Sequence, residues 1–188
     1  MIYILHVHTG YEHQTAQKLL ATAARRGADT MNGSYIDDLK AHSLERELVI
    51  RRQGKRKLEK APLYPGYIFI ETSCNPQLLR ELIKPIHSAI HFLHSNNNIQ
   101  ALVSDEEAAL RKMLDYGTVL PRSRVSLTPN QPITIIDGPL KGMEGIIQRI
   151  DRRRERVKVR MIMSEKPFTF DLGIEIVAAA EAKAGKTA

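Results

Sequence analysis

The fold is decided by the stretch Ala61-Pro62-Leu63-Tyr64-Pro65-Gly66-Tyr67-Ile68-Phe69-Ile70. Its two prolines fix φ and remove two backbone donors, so the chain enters the stretch in a non-helical conformation. Gly66 permits a sharp turn, and the residues after it are all apolar, which predicts a strand buried on both faces. Tyr64 and Tyr67 flank the turn, and we expect both rings to be half-exposed. Such a corner suits a docking surface; the plainer alternative is an ordinary strand entry.

The composition supports a packed core and a polyanionic partner. The chain has 188 residues, 43% of them hydrophobic, enough for one ordinary domain or two small ones. Its formal net charge of +7 favours nucleic acid as the partner, with a membrane surface as the competitor. No apolar run reaches the roughly 20 residues that span a bilayer, and the N-terminus does not resemble a signal peptide. Because the single cysteine, Cys74, cannot form an internal disulfide, we expect a cytoplasmic protein.

The N-terminal part alternates strands and helices. The order strand, helix, strand, strand, helix, strand is that of a ferredoxin-like α+β domain with one antiparallel sheet. Gly27 is placed to end the first helix, and Asn75 to cap the second. The predicted strands are 1–8, 48–50, 67–71 and 89–93, and the predicted helices are 11–26, 76–84 and a third from residue 104.

Short apolar runs in the C-terminal part predict a small β-barrel. A polar segment between two of these runs resembles the KOW motif, in which glycines let a loop turn tightly before the next strand. The residues that carry this resemblance are Asp137, Gly138, Lys141, Gly142 and Gly145.

The boundaries between these parts follow from composition. Residues 121–132 contain basic residues and prolines with little periodicity, which predicts an interdomain linker. The end of the chain is rich in Ala and Lys and predicts a disordered tail. The predicted organisation is an N-terminal domain at 1–120, the linker at 121–132, a barrel at 133–178 and the tail at 179–188.

A basic segment precedes the deciding stretch. In Arg51 to Lys60, Gly54 lies between cationic flanks, which indicates the tip of a long, mobile hairpin with Tyr67 to Glu71 as its return strand. The cations after the tip predict contacts with phosphate or acidic side chains, without sequence preference. These cations are Lys55, Arg56 and Lys57.

The densest basic run, from Arg152 to Arg160, is the main nucleic-acid signal. In its second half Val157, Val159 and Met161 alternate with cations, so a strand would bury one set and expose the other. Glu155 is the one acidic residue in the run, so the patch would gain by neutralising phosphates and releasing counterions. The alternative is a merely solvated strand face. The cations are Arg152, Arg153, Arg154, Arg156, Lys158 and Arg160.

No motif predicts catalysis or a bound metal. His6 and His8 share a strand face, and His91 and His94 are three residues apart, but neither pair comes with the two further ligands of a structural zinc site. The chain has no nucleophile elbow, phosphate-binding loop or dinucleotide fingerprint. We therefore expect a non-enzyme without a cofactor or a metal.

Three segments in order resemble the N-terminal (NGN) domain of the NusG family of transcription elongation factors. They are the opening Tyr3 to Glu12, the basic run Gly54 to Lys60, and Leu63 to Ile70. With the KOW-like segment, the resemblance covers nearly the whole chain. It implies that the NGN domain binds the clamp helices of the largest subunit of RNA polymerase. The implied pocket is formed by Tyr64, Pro65, Gly66 and Tyr67, with Ile2 and Tyr3 at its edge.

The resemblance also bears on the type of NusG-family protein. In housekeeping members the KOW domain binds a ribosomal protein or the termination factor Rho through an apolar hairpin, whereas the corresponding Met163 to Lys166 is polar here. Together with the Arg-rich strand, this resembles the LoaP type, an antiterminator that recognises an RNA hairpin in a transcript leader. The implied partners of the expected monomer are RNA polymerase and an RNA hairpin or upstream-fork DNA, with no membrane. Housekeeping NusG and a ribosomal-type KOW RNA-binding protein are the alternatives.

Overall fold

The computed structural model describes residues 1–29, 38–95, 98–128, 132–163 and 166–177. The chain divides into two compact units, each built from segments that are separate in sequence. Unit 1 comprises Met1–Leu44, Tyr64–Ala109 and Met163–Lys166. Unit 2 comprises Glu45–Leu63, Leu110–Ile162 and the chain from Pro167 onward. The predicted domain limits, 1–120 and 133–178, stay predictions.

The secondary structure alternates in unit 1 and consists mainly of strands in unit 2. The helices are α1 (Glu12–Asp29), α2 (Pro76–Ile83) and α3 (Ser104–Leu114), with a 3-10 helix at Glu144–Ile146. In chain order the strands are β1 (Ile2–Val7), β2 (Lys40–His42), β3 (Glu45–Arg52), β4 (Lys55–Pro62), β5 (Tyr67–Glu71), β6 (Ala89–Phe92), β7 (His94–Ser95), β8 (Asn98–Ile99), β9 (Val119–Leu120), β10 (Ser123–Ser126), β11 (Thr134–Asp137), β12 (Ile147–Asp151), β13 (Arg156–Met163) and β14 (Lys166–Ile176).

Unit 1 is built on a four-stranded sheet in the order β2-β5-β1-β6, in which every pairing is antiparallel. One cluster of buried side chains joins the sheet to α1 and α2. It includes Leu5 of β1, Leu19 of α1 and Leu82 of α2, none of which has exposed surface. Burial of such side chains is the main favourable term in folding. The predicted α+β class is confirmed, but the predicted strand 48–50 lies in β3 of another sheet, and β2 takes the fourth place in this one.

Local sequence predicted the start of α2 correctly and the end of α1 incorrectly. The side chain of Asn75 accepts the N–H of Leu78 at 2.9 Å, and Pro76 begins α2, so the predicted cap is confirmed. The predicted stop at Gly27 is wrong, because α1 continues to Asp29. A glycine disfavours a helix interior by only about 1 kcal/mol, which a helix already under way tolerates.

Unit 2 contains a five-stranded sheet, β11-β10-β14-β13-β12, and a three-stranded sheet, β4-β3-β9. In the larger sheet β10 pairs in parallel with β14 and antiparallel with β11. β13 buries Val157, Val159 and Met161, as the alternation in its sequence predicts. The strands that the predicted barrel requires are present, and its closure stays a prediction.

The basic segment 51–60 belongs to a long hairpin that turns at Gly54, as predicted, but the predicted return strand is wrong. β3 and β4 pair without interruption as far as Arg52↔Lys55. The turn between them is Gln53-Gly54, with φ of 50° and 77°, and positive φ at both positions is what a type I′ turn requires. The return strand is β4 rather than Tyr67–Glu71, which pairs with β1 and β2. Most side chains of β4 are exposed, so its sequence lacks the apolar alternation that reveals a strand.

The predicted linker at 121–132 contains a strand. Ser123–Ser126 forms β10, which is paired on both sides in the larger sheet. Its only apolar residue is Val125, so its alternation is too short to detect in the sequence. Residues 164–165 of the polar hairpin and the predicted tail at 179–188 lie outside the described residues.

Two glycines of unit 2 permit close approaches of the backbone. Gly138 has a φ of 101°, and a Cβ there would lie 2.7 Å from Cα of Ser123. The hydroxyl of Ser123 accepts the N–H of Leu140 at 3.0 Å, which fixes the same turn. A Cβ on Gly173 would lie 2.2 Å from the carbonyl oxygen of Glu47. β14 therefore passes directly against β3 at this point.

Candidate functional site

One buried carboxylate holds the corner at Pro65-Gly66 in unit 1. Gly66 has a φ of 82°, which favours glycine, and its N–H donates to Oε1 of Glu12 at 2.7 Å. Oε2 of Glu12 accepts the N–H of Gly10 at 2.9 Å. The N–H of Val7 donates to the Gly66 carbonyl at 2.8 Å. The corner is thus fixed both to the start of α1 and to β1.

The residues of the corner divide between surface and core. Pro65 is exposed and Tyr67 is half-buried. Tyr64 is only 4% exposed, which corrects the expectation of a half-exposed ring. Its ring lies edge-on against Phe69, with centroids 5.1 Å apart, so the packing of an aromatic pair accounts for its burial.

Ile2 and Tyr3 lie in the core rather than at the edge of a pocket, which corrects the sequence expectation. They are 0% and 3% exposed, respectively. β1 is an inner strand of its sheet, and its apolar side chains are buried on both faces. Burial raises the pKa of the Tyr3 hydroxyl, because the charged form loses solvation. Both residues pair with the far end of β5, at Glu71 and Ile70, and offer the corner no surface.

A row of rings crosses the sheet of unit 1, and local sequence does not predict it. His6 on β1 lies in register with Tyr67 on β5 and with His91 on β6. The His6 and Tyr67 rings stack, with centroids 5.0 Å apart and planes at 27°. The His6 and His91 rings meet edge-on at 5.1 Å. Because His91 is exposed and the other two are half-buried, the row offers aromatic surface that begins at the corner.

The sequence predicted no metal site at the histidines of this row. In the part of the chain that the structure describes, no group of three or more His, Cys, Asp or Glu side chains is placed to hold a metal ion. The signal that the sequence did contain was the alternation along β1. It places His6 on a face, but it cannot show which residues of neighbouring strands lie beside it.

In unit 2 the cations of β13 face away from its buried side chains. Lys158 and Arg160 are exposed, and the side chain of Arg156 is 20% exposed. Residues 152–154 are exposed in the loop that joins β12 to β13. The two-faced strand inferred from the alternation is therefore confirmed as a structural feature.

The basic patch has more acidic neighbours than the sequence suggested. Asp171 of β14 lies 3.0 Å from Nζ of Lys158 and 3.8 Å from the guanidinium of Arg156. Asp151 lies 3.9 Å from Nε of Arg154. β14 is the neighbour of β13 in the sheet, so Asp171 is close in space although it is distant in sequence. Cations still outnumber acidic side chains around the patch, so it stays basic, although Glu155 is not its only acidic neighbour.

Glu155 gathers arginines from three segments of unit 2. It has a φ of 54° at the end of the loop before β13, and its carbonyl accepts the N–H of Ile174 at 2.9 Å. Its carboxylate, 13% exposed, accepts a hydrogen bond from Arg56 and another from Arg122 at 3.3 Å. Nη2 of Arg51 lies 4.0 Å from the same carboxylate. Charge-assisted contacts of this kind are stronger than neutral ones.

Two grooves lie beside this cluster. The first groove has a volume of about 320 Å³ and is lined by five cationic and two acidic side chains. The second groove has a volume of about 360 Å³ and is lined by four arginines, Val49 and Ile50. Arg153, Arg154 and Arg156 line both grooves. The two grooves therefore adjoin.

The two grooves bring together basic residues of the β3–β4 hairpin and of the Arg-rich run, which are distant in sequence. Arg51 of the β3–β4 hairpin lines the second groove and Arg149 of β12 lines the first, and neither was among the predicted site residues. Of the predicted hairpin cations, Arg56 bonds Glu155, whereas Lys55 and Lys57 are exposed. Only the packing of unit 2 reveals that the hairpin and the Arg-rich run share a surface.

A family model described as "Transcription termination factor nusG" matches residues 2–112, which is more than half of the chain. The chain belongs to the NusG family. The resemblance carried by the opening strand and the corner is thereby confirmed, and NusG-family proteins are transcription factors rather than enzymes.

Full-length relatives named "Transcription termination/antitermination protein NusG" match most of this NusG-family chain. The protein of Xylella fastidiosa (strain 9a5c) is 24% identical over 179 residues, which cover 90% of this chain and 94% of that protein. The protein of Pseudomonas aeruginosa is 22% identical over 163 residues, which cover 86% and 88%, respectively. The fold also matches a solved structure, "Domain interaction in Thermotoga maritima NusG", with a TM-score of 0.52 at 18% identity, covering 92% of this chain and 93% of that one.

The KOW-like residues of this NusG-family chain form the turn before β12. Gly138 is buried, whereas Asp137, Lys141, Gly142 and Gly145 are exposed. Only at Gly138 among these glycines would a Cβ meet neighbouring atoms within 4 Å. Among the described helices, none is both long enough and apolar enough to cross a membrane.

Proposed function

We propose that this chain is a transcription elongation and antitermination factor. Its unit 1 docks on the clamp helices of RNA polymerase through the Pro65–Tyr67 corner, and its unit 2 binds nucleic acid through the basic grooves. Such a factor acts in the cytoplasm, where bacterial transcription takes place. The observation that carries the proposal is the match of the NusG family model across the segment that contains the corner.

The geometry of unit 1 supports the docking part of the proposal. The carboxylate of Glu12 fixes the Gly66 turn, so the surface is preorganised and little entropy is lost on binding. Pro65 and the half-buried ring of Tyr67 provide contact area, and His6 and His91 extend it across the sheet. Aromatic residues that are partly exposed on a rigid surface are typical anchors of protein interfaces.

The geometry of unit 2 supports the nucleic-acid part. The cations of β13 lie on one strand face, and the first groove keeps an excess of cations after Asp151 and Asp171 are counted. Guanidinium groups bind phosphates through paired hydrogen bonds. The exposed Lys55 and Lys57 lie on the opposite face of the hairpin from Arg51 and Arg56, and they suit separate contacts with upstream-fork DNA.

Within the family, we propose the LoaP type, in which the KOW domain holds a hairpin of the leader RNA. The Arg-rich strand supports this choice, as does the polar sequence from Met163 to Lys166. The second candidate is a housekeeping NusG that couples polymerase to a ribosome or to Rho. It is favoured by relatives that match over nearly their full length under the name termination/antitermination protein.

The test of docking is Tyr67→Ala. Loss of an aromatic anchor at a hot spot costs about 2 kcal/mol, or roughly 30-fold in Kd. Affinity of the full chain for purified RNA polymerase is measured by surface plasmon resonance. Tyr116→Ala is the matched control, because Tyr116 is 41% exposed and belongs to unit 2. Unchanged affinity of a Tyr67→Ala variant with wild-type melting would remove the docking assignment.

A further inference from the structure

Two hairpins line the second groove, and one of them also lines the first. Arg51 is supplied by β3, and Arg153, Arg154 and Arg156 come from the loop and the first residue of β13. These two regions are joined through Glu155, which accepts a hydrogen bond from Arg56 of β4. The arginines that line the second groove are therefore held beside one another by contacts within unit 2.

We propose that the two grooves form one continuous phosphodiester-binding channel, so that nucleic acid held by β13 is also bound by Arg51. This inference rests on the proposed function and deepens it. The proposed function assigns RNA to the cations of β13 and upstream-fork DNA to Lys55 and Lys57 of the β3–β4 hairpin, and it gives Arg51 no role of its own. A shared channel makes the hairpin part of the same site.

The positions of Arg51 and Arg52 decide which cation of β3 enters the channel. Adjacent residues of a strand point to opposite faces. Arg51 faces Glu155 and lines the second groove, whereas Arg52 lies 3.8 Å from Glu59. Arg51 is 54% exposed and only 4.0 Å from its acidic neighbour. Its guanidinium therefore keeps donors for a phosphate.

Glu155 is the positioning residue of the channel. Arg51 and Arg56 are directly opposite each other in the hairpin register, and like charges in that relation repel. The carboxylate of Glu155 offsets this repulsion and holds the loop before β13 against the hairpin. Val49 and Ile50 add an apolar section to the second groove, which suits a ribose or the edge of a base next to the bound phosphates.

The experiment measures binding of the full chain to two labelled probes, an RNA stem-loop and a DNA duplex of the same length, by fluorescence anisotropy over a series of salt concentrations. Arg51→Ala is expected to weaken binding of the preferred probe about 5-fold and to reduce the salt slope by about one phosphate contact. Arg52→Ala is the matched control and is expected to change the affinity by less than about 2-fold. Arg51→Lys is expected to keep part of the affinity, because the charge remains.

A separate variant distinguishes this inference from the proposed function. Charge reversal at Arg154 and Lys158 tests nucleic-acid binding by the patch itself. If that variant loses binding while Arg51→Ala and Arg52→Ala behave alike, the shared channel is wrong and the proposed function stands. If the charge-reversed variant binds the probes as tightly as the wild type does, the proposal that this surface binds nucleic acid is wrong, and the shared channel is wrong with it. The tighter probe identifies RNA or DNA as the source of the phosphodiester.

Discussion

At the scale of single residues, His42 gives the fold a dependence on pH. It lies on β2 with 18% of its side chain exposed and with the Glu71 carboxylate 3.8 Å from Nε2. Burial lowers the pKa of His42, and the opposing effect of Glu71 is smaller. The folded chain therefore takes up a proton on this ring less readily than the unfolded chain does. The contribution of His42 to stability is present above the ordinary pKa of 6.5 and is lost as the pH falls through the folded pKa.

As the pH is lowered from about 7.5 to about 5.5, we expect the free energy of unfolding to fall less in the His42→Gln variant than in the wild type. The glutamine has no proton to take up in this range, and the difference between the two chains removes the effect of the other histidines. Urea unfolding at each pH measures the free energy of unfolding. Equal losses in both chains would contradict the assignment.

The Asp38 carboxylate also makes the free energy of unfolding depend on pH. Hydrogen bonds from Ser73 and Thr72 lower the pKa of Asp38 below its ordinary value of 3.8. Its contribution to stability is present above that value and is lost as the pH falls through the lower folded pKa. Asp38 therefore acts in a more acidic range than His42.

Residue types at the docking corner were predictable from the sequence, and their exposure was not. The turn at Gly66 followed from the Pro-Gly pair, because few residues other than glycine adopt its φ. Tyr64 and Tyr67 look equivalent in the sequence, yet one packs on Phe69 and the other stacks on His6. Only the strand register separates them.

At the scale of secondary structure, Gly173 fixes the approach of β14 to β3. A Cβ at this position would lie 2.2 Å from a backbone oxygen, and backbone gives way less easily than the end of a side chain. We expect Gly173→Ala to destabilise unit 2 by about 1–3 kcal/mol, the usual cost of overpacking. Chemical denaturation measures the loss.

Gly145→Ala is the matched control for this substitution. Nothing lies within 4 Å of a Cβ built at Gly145, and an alanine there also reduces the entropy of the unfolded chain. We expect its stability to equal or slightly exceed that of the wild type. A loss at Gly145 as large as that at Gly173 would show that the close approach is not the cause.

Strands with one buried face were predictable, and strands without one were not. β13 alternates Val157 and Val159 with cations, and that pattern predicted a strand with one buried face. β4 exposes most of its side chains, so the return strand of the hairpin was predicted at 67–71 instead. Asp171 could not be assigned to the basic patch, because the pairing of β13 with β14 joins residues that local pattern does not relate.

At the scale of the whole molecule, net charge accounts for affinity for nucleic acids, but it does not account for selectivity among them. A net charge of +7 attracts any polyanion, and phosphate contacts carry no sequence information. Selectivity therefore requires the form of a structured RNA or a few unstacked bases.

We expect the full chain to bind the leader RNA of its own operon more tightly than a scrambled hairpin of equal length. Competition between the two RNAs at physiological salt measures the ratio, since low salt exaggerates the contribution of charge. Equal binding would remove the LoaP-type assignment and favour the housekeeping type. It would leave the basic surface itself in place.

The pairing of Arg56 with Glu155 has a consequence for how the protein is made. These residues are 99 positions apart, and ribosomes add roughly 5–20 residues per second, so the arginine waits about 5–20 s for its carboxylate. During that interval Arg51 and Arg56 of the nascent hairpin face each other without the Glu155 carboxylate that offsets their repulsion in the finished chain. Slow elongation between the two codons would prolong this interval.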